Sequence, residues 1–500
     1  MNTKNTPSLN GRTNERSLSP SPCGEGRGEV IVLGAGESGV GAAILAKVKG
    51  FRVFVSDMGM VKDEYKALLI SHAIDYEEGG HTFDKLKDAE IIIKSPGIPD
   101  NAPIIRQIQE YNATREPGTE NPEPRTENRE PIRIISEIEF AARYTQAKMI
   151  CITGSNGKTT TTSLIYDMLS RAGLDVGLAG NIGNSLALQV ALHDRQYYVI
   201  ELSSFQLDNM YDFRADIAIL MNITPDHLDR YDNCFQNYVN AKFRITQNQT
   251  PQDAFIYWSE DPVINREIAR IQPKATLYPF GQNEHNVAYI DGSHLVVAAP
   301  QAVEPLRIPI EQLSLQGQHN RLNSMAASLA AQILNIRNEV IRESLTTFAG
   351  VPHRLQYVAT VNNIRFINDS KATNVNSCWY ALESMTTPTV LILGGKDKGN
   401  DYSEIDELVR QKCHTLVFMG LHNEPLHAHF DAFTSSSPCG EDRGGVTIID
   451  TNNLHDAVRL AYEAAHPGDT VLLSPCCASF DLFKNYEERG DLFMNEVRHL

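Results

Sequence analysis

Short apolar runs punctuate the chain: EVIVLG (29–34), FRVFVSD (51–57), EIIIKS (90–95), KMICITG (148–154), YYVIEL (197–202), IAILMNI (217–223), TVLILGG (389–395), TLVFMG (415–420) and DTVLLS (469–474). They read as β-strands, and the stretches between them carry helical patterns, so the chain predicts doubly wound α/β domains. Breaks in composition near 147 and near 350 divide it into an N-terminal domain over 29–147, a central domain over 148–349 and a C-terminal domain over 350–500. The N-terminal tail (1–28), NATREPGTENPEPRTENREP (within 112–131) and SSSPCGEDRGG (435–445) lack apolar periodicity and are expected to be solvated or disordered. Two of these share a phrase, SPCGEGRGEV at 21–30 and SPCGEDRGGV at 437–446. A zinc pair of Cys23 with Cys439 would need His partners at ligand spacing, which the phrase does not supply.

The first run feeds a glycine turn. Gly34, Gly36 and Gly39 stand in the order G-x-G-x-x-G, and the second run brings Asp57 to where a ribose-binding acid would sit. The pattern fits a dinucleotide site for NAD or FAD. It fits equally any βα turn that packs closely or receives a phosphate on helix N–H groups. The stretch leaves both readings open.

A second glycine turn has different chemistry. In KMICITGSNGKTTTTSLIYDML (148–169) the turn ends in Gly157, Lys158 and Thr159. Backbone N–H groups of such a loop cradle phosphates, the lysine neutralises charge that develops in transfer, and the hydroxyl can ligate Mg²⁺. The loop TGSNGKT is shorter than G-x-x-x-x-G-K-[ST], since Ile152 occupies the position five before Gly157. Such a loop needs an acid at the end of a neighbouring strand, and YYVIELSSFQL places Glu201 there. IAILMNITPDHLDRY delivers Asp226, His227 and Asp229 to the same strand edge, where ligands gather in open α/β sheets.

Composition narrows the partners. The 500 residues are 42% apolar and 21% charged, ordinary for two to four globular domains, and the formal net charge of −17 argues against nucleic acid. No apolar run approaches the length of a spanning helix and the N-terminus lacks a hydrophobic signal core, so a cytoplasmic protein without membrane insertion is expected. The eight cysteines are scattered, and the adjacent Cys476 and Cys477 do not make C-x-x-C, so reduced thiols are expected.

Together, TGSNGKTTT, GNIG, ELSSFQL and NITPDHLDRY resemble the Mur ligase family, the ATP-dependent amide ligases of peptidoglycan synthesis. GQHNRLN (317–323) looks like the family's adenine-contacting segment and VPHRLQ (351–356) like its inter-domain arginine. FINDSKATN (366–374) and LLSPCCASFDLFKNYEERGDLF (472–493) resemble the members that add D-glutamate to UDP-N-acetylmuramoyl-L-alanine. The resemblance spans roughly 29–500 apart from the insertions, and its last two segments are the most specific.

The resemblance implies a fold and a set of roles. The N-terminal domain would be Rossmann-like and bind UDP rather than a nicotinamide dinucleotide, through Gly34, Gly36, Ser38, Gly39, Asp57, Ser95 and Gly97, with Asn181 and Ser203 lining the path to the muramoyl-alanine end. The central P-loop ATPase-like domain would hold ATP through Gly154, Ser155, Asn156, Gly157, Lys158, Thr159 and Thr160, with Asn320 and Asn323 at adenine. The C-terminal domain, also Rossmann-like, would add Arg354, Asp369 and Lys371 to the ATP site when it closes. It would bind D-glutamate through Thr373, Lys398, Ser479, Phe480 and Tyr486. Lys396 competes with Lys398 for that role, and Phe480 and Tyr486 stand where the family pattern has Leu and Phe. Thr159 and Glu201 would ligate Mg²⁺ and His227 a second metal, toward which Lys242 of NYVNAKFRIT would reach as a carbamate, an anionic oxygen ligand in place of a cation. Lys158, Glu201, His227, Lys242 and Arg354 are thus the implied catalytic set of a monomeric enzyme that makes an acyl phosphate and displaces phosphate with an amine. The alternatives are a relative adding another amino acid, although no DNPR-like segment for diaminopimelate is present, a folylpolyglutamate synthetase, or a nucleotide-gated binding module.

Overall fold

A computed structural model of the chain describes residues 27–113, 131–397, 399–434 and 445–500. Among these residues the strands form three sheets, and the chain separates into two compact units.

The first unit comprises the described residues up to Gln146 together with Asn184–Asp194 and Asn209–Phe213. Its strands are β1 (Arg27–Leu33), β2 (Phe51–Ser56), β3 (Asp75–Glu77), β4 (Ile91–Lys94) and β5 (Arg133–Ile135), paired in parallel in the order β3-β2-β1-β4-β5. Strand order reverses between β1 and β4, which opens a crevice at their carboxyl ends. The helix Glu37–Val48 that follows β1 has Gly41 in its interior, where glycine costs about 1 kcal/mol. A Cβ there would stand 2.1 Å from Ser185 Oγ, so the glycine permits the close pass of the Asn184–Asp194 segment. That segment is anchored by Glu137, a buried carboxyl that accepts hydrogen bonds from Ser185 Oγ (2.7 Å) and Ala187 N (2.6 Å). Burial pushes its pKa up to about 7.

The second unit holds the other two sheets. The larger contains β6 (Lys148–Thr153), β7 (Val176–Gly180), β8 (Tyr197–Glu201), β9 (Ile217–Leu220), β10 (Ala254–Trp258), β11 (Thr276–Phe280), β12 (Ala288–Asp291), β13 (His294–Val297) and β14 (Leu306–Pro309). Their order is β14-β13-β12-β11-β10-β9-β6-β8-β7, parallel from β7 to β12 and antiparallel at the β12–β13–β14 edge. β6 lies inside the sheet, which explains its unbroken apolar run. The helix Lys158–Arg171 buries Leu164, Ile165, Met168 and Leu169 in the same core as Met325, Ala326 and Leu329 of the helix Gln318–Ile333. Each such large side chain contributes about 1.5–3 kcal/mol on burial. This packing holds the two helices against each other.

The smaller sheet contains β15 (Gln356–Val361), β16 (Ile364–Asn368), β17 (Thr389–Leu393), β18 (Cys413–Met419), β19 (Thr447–Thr451) and β20 (Thr470–Leu473), in the order β15-β16-β20-β17-β18-β19. Only the β15–β16 pair is antiparallel, joined through Asn362 and Asn363 at φ 48° and 64°, the left-handed pair that a tight hairpin turn requires.

Three expected boundaries shift. β1 begins at Arg27, so the tail expected over 1–28 stops short of it, and residues 1–26 lie outside the described ones. Of the expected insertion 112–131, residues 114–130 lie outside them, while Asn112 and Ala113 complete the helix Pro103–Ala113. The Asn112 amide both donates to Ile132 O and accepts from Ile132 N at 2.9 Å. Of the segment 435–445, only Gly445 is described, and a Cβ on it would lie 2.4 Å from Thr434 O. Cys23 and Cys439 also lie outside the described residues.

Candidate functional site

In the first unit the glycine turn sits at the mouth of the crevice. Gly34 has φ 92° and a Cβ on it would meet Ser95 Oγ at 2.6 Å, while a Cβ on Gly39 would lie 1.8 Å from Gly34 O. These two glycines serve close packing of helix and strand. Gly36 has nothing within 4 Å of its Cβ position and caps the helix without a side chain, leaving the helix N-terminus open to an anion. Asp57 holds the turn, accepting from Ala35 N (2.5 Å) and Gly59 N (2.7 Å). Gly34, Asp57, Met58, His81, Gly97 and Ile98 line one cavity. His81 contacts Ser56 Oγ at 2.7 Å, and burial lowers its pKa. Ser38 is half-buried two residues into the helix motif.

In the second unit the loop between β6 and the helix Lys158–Arg171 is held by the segment after β9. Asn156 N donates to Asn222 Oδ1 (2.8 Å) and Asn222 Nδ2 returns a bond to Asn156 O (3.1 Å), while Ser155 Oγ donates to Thr224 O (2.8 Å) and lies 3.0 Å from the Tyr238 hydroxyl. Gly157 is left-handed at φ 83°, and a Cβ there would stand 2.5 Å from Asn323 Oδ1. Thr159 and Thr160 are buried in the first turn of the helix.

A cluster of charges gathers at this loop. Lys158 Nζ donates to Gly154 O and Ser155 O, both at 2.8 Å. Burial lowers its pKa, against the opposing pull of Glu201 and Asp226 and with the repulsion of Arg354. Glu201, paired with Ile152 across β6 and β8, accepts from Asn181 Nδ2 at 2.8 Å; its Oε2 is buried and has no hydrogen-bond partner among the described residues. Lys242 is 2% exposed on the helix Phe235–Phe243, with Nζ 2.8 Å from Gly154 O and 4.6 Å from the Tyr238 ring centroid. Burial first and the Lys158 charge second drive its pKa well below the ordinary lysine value. His227 adopts a left-handed φ of 52° and sets its ring edge-on to Phe205 at 5.2 Å. Asp226 Oδ2 lies 3.6 Å from His227 Nε2 and accepts from Asn374 Nδ2 at 3.4 Å. Ser203 Oγ turns to Gln206 Oε1 at 3.0 Å.

The later residues reach the same loop. Asn156 bonds Asn376 and accepts from Ser377 Oγ at 2.8 Å, so the helix Val375–Glu383 is tied to the glycine turn. Asn156, Gly157, Asn323, Arg354, Asp369 and Tyr380 line one cleft. Asn320 is buried beside it and accepts from Asn323 Nδ2 at 3.1 Å. Asp369 is fully buried, accepts from Leu355 N (3.1 Å) and Ser474 Oγ (2.9 Å), and faces Arg354 at 3.7 Å; burial raises its pKa to about 6. Burial lowers that of Lys371 to about 8, opposed by Glu201 and aided by Arg354 and Lys158.

The expected glutamate residues are less uniform. Ser479 is buried, Thr373 half-buried, and Tyr486 lies with its ring centroid 5.2 Å from Lys371 Nζ. Phe480, expected to wall the D-glutamate pocket, is 67% exposed. Lys398 lies outside the described residues; Lys396 is exposed and its N–H donates to Ala478 O at 2.8 Å.

Sequence reasoning gave no role to Asn222, Ser377 or Arg489. Fully buried Arg489 donates to Ser370 O (2.8 Å) and to Cys477 O (3.3 Å), pinning NDSKATN to SPCCASF. A polar residue just past a parallel strand could have flagged Asn222. Nothing local flags Ser377.

Comparison with known proteins decides the family. Residues 152–331 match the Mur ligase middle domain, 353–477 the Mur ligase glutamate ligase domain and 30–103 the MurD N-terminal domain. The chain is 60% identical over 473 residues to UDP-N-acetylmuramoylalanine--D-glutamate ligase of Bacteroides fragilis, covering 94% of this chain and 99% of that one. The chain belongs to the Mur ligase family. Proteins of the same name from Bacteroides thetaiotaomicron and Porphyromonas gingivalis are 58% and 55% identical, each over 94% of this Mur ligase and 99% of the relative. The fold is shared with the UDP-N-acetylmuramate-alanine ligase of Thermotoga maritima at TM-score 0.58 and 16% identity, over 95% of this chain and 100% of that one. Among the described residues, no helix is long and apolar enough to cross a membrane.

Proposed function

We propose that this Mur ligase joins the amine of D-glutamate to the carboxylate of UDP-N-acetylmuramoyl-L-alanine at the expense of ATP; its relatives bear the name UDP-N-acetylmuramoylalanine--D-glutamate ligase. The observation that carries the reading is the convergence of Lys158, Glu201, Asp226 and Lys242 on one glycine loop whose cleft also contains Arg354 and Asp369. A carboxylate oxygen of the substrate attacks the γ-phosphorus of ATP, the bond to the β–γ bridging oxygen breaks, and ADP leaves. The glutamate amine then attacks the acyl carbon, loses a proton, and phosphate departs as the amide forms.

The residues divide the work. Gly34, Gly36, Ser38, Gly39, Asp57, Ser95 and Gly97 receive the UDP end. The backbone of 154–157 with Thr160 cradles the phosphates, Lys158 balances the charge of the transferring group, and Asn320 and Asn323 meet the base. Arg354, Asp369 and Lys371 complete the ATP site. Thr373, Lys398, Ser479, Phe480 and Tyr486 are proposed for D-glutamate, with Asn181 and Ser203 toward the muramoyl-alanine end.

Mg²⁺ fits the donor set, since Glu201 Oε2 is buried with no hydrogen-bond partner among the described residues. Thr159 and Glu201 would hold it, with His227 and carbamylated Lys242 on a second metal ion. When bound it screens the phosphate charge against the incoming carboxylate. The suppressed Lys242 pKa favours the neutral amine, the form that adds to the carbon of CO₂, making an N–C bond and releasing a proton to leave the carbamate. We further propose a cytoplasmic monomer.

Phosphate release tests the reading. With ATP, Mg²⁺ and UDP-N-acetylmuramoyl-L-alanine, release is expected with D-glutamate and with no other amino acid in a panel. A response to L-alanine or diaminopimelate instead would make it another Mur-type ligase, and a response to a folate without the UDP substrate a folylpolyglutamate synthetase.

A further inference from the structure

His414, His466 and Asp469 come together at the edge of the smaller sheet opposite the candidate active site. His414 is the second residue of β18, Asp469 immediately precedes β20, and His466 lies in the turn after the helix Leu454–Ala464. These are amino ends of strands. Asp369, Gly394 and Ser474, which follow β16, β17 and β20, lie at the carboxyl ends. The cluster is therefore separated from the candidate active site by the length of the sheet.

We propose that these three side chains form a binding site for a divalent transition-metal cation of the zinc class. One donor atom from each lies within 4.8 Å of the others. His414 Nε2 stands 3.0 Å and His466 Nδ1 3.5 Å from Asp469 Oδ2. Tetrahedral zinc with bonds of about 2.0–2.1 Å spaces its ligands about 3.3 Å apart, and the two observed separations bracket that value. Two imidazoles and one carboxylate, with water in the fourth position, suit zinc far better than magnesium or calcium.

The surroundings prepare the ligands. His414 Nε2–H donates to Asp469 Oδ2, and Nδ1 lies 2.9 Å from Thr415 Oγ1; when Nε2 gives its lone pair to an ion, the proton moves to Nδ1 and donates to that hydroxyl, which fixes the ring. Asp469 is 8% exposed and its Oδ2 also accepts from His466 N at 2.7 Å, so the carboxylate is held in place before any ion arrives. The His466 ring is 80% exposed and free to turn the short distance that closes the triangle. A bound ion would staple the turn before β20 to β18 across the end of β17, which lies between them in the sheet.

Isothermal titration of the full chain with zinc chloride, in saturating Mg²⁺ so that the candidate active-site cation positions are filled, tests the site. Wild type is expected to bind one additional zinc, and His466→Ala to weaken it at least tenfold while retaining wild-type ligase turnover, because the ring is exposed and remote from the nucleotide cleft. Zinc should raise the melting temperature of wild type and not of His466→Ala, and cobalt(II) should give the visible absorption of a tetrahedral site in wild type alone. Absence of zinc binding in wild type, or equal affinity in His466→Ala, overturns the proposal.

Discussion

Asn156 in the glycine loop accepts a 2.8 Å hydrogen bond from Ser377 Oγ, a residue 221 positions later. The bond fixes the turn that would cradle phosphate against a helix from a different sheet. Ser377→Ala removes the donor and leaves a half-buried amide oxygen underused, at about 1 kcal/mol. The expected result is an ATP KM raised roughly fivefold, since 1.4 kcal/mol is about tenfold, with UDP-substrate affinity unchanged. Steady-state kinetics at varied ATP checks it, and an unchanged KM for ATP contradicts the role given to the bond.

Lys158→Ala is expected to lower kcat by about a hundredfold or more, the usual size for removing a cation aimed at a transferring phosphoryl group. Because the first unit contains its own glycine turn and cavity, binding of the UDP substrate should persist by calorimetry. Turnover above about a hundredth of wild type would contradict a transition-state role.

Lys242→Ala should lose most activity, and small added carboxylates should restore part of it by occupying the anion position. Lys242→Arg keeps a cation but cannot form the carbamate, so it should behave like the alanine variant. Wild-type activity of Lys242→Arg would rule the carbamate out.

Glu137 predicts a pH dependence. Its folded pKa of about 7 exceeds the ordinary 4.5, so the folded state holds the extra proton between those values. Stability therefore falls as pH rises through this window and levels off above 7, by at most about 1.4 kcal/mol per pH unit. Glu137→Gln removes the titration while still accepting from Ser185 Oγ. In urea unfolding at pH 5 and pH 8, the variant should gain on wild type at the higher pH; a difference independent of pH would assign the titration elsewhere.

Much of this was legible in order along the chain. Every apolar run singled out became a strand: β1, β2, β4, β6, β8, β9, β17, β18 and β20. These are buried strands in parallel pairings, where both faces demand apolar side chains. β10, AFIYW, is as apolar as the runs singled out and was passed over, whereas others missed carry weaker marks. β7 is VGLAG, too small and glycine-rich to stand out, and β15 is half-exposed, with its only strong signal in the Asn362–Asn363 turn. The loop residues Gly154, Gly157 and Lys158 announced themselves because phosphate chemistry constrains adjacent positions. Ser377 and Arg489 did not, because their roles come from partners that only the folded chain supplies. Likewise, Asn184–Asp194 groups with the first unit although its sequence neighbours belong to the second, a choice made by Glu137 and Gly41 rather than by any break in composition.

The paired amide bonds between Asn112 and Ile132 make the chain on either side of residues 114–130 a closed joint. Length added between Ala113 and Pro131 then loads the joint and not the sheet behind it. The position is thus a natural port for cargo: a fluorescent reporter or an affinity handle spliced there would leave both chain ends unaltered and the nucleotide loops at their native spacing.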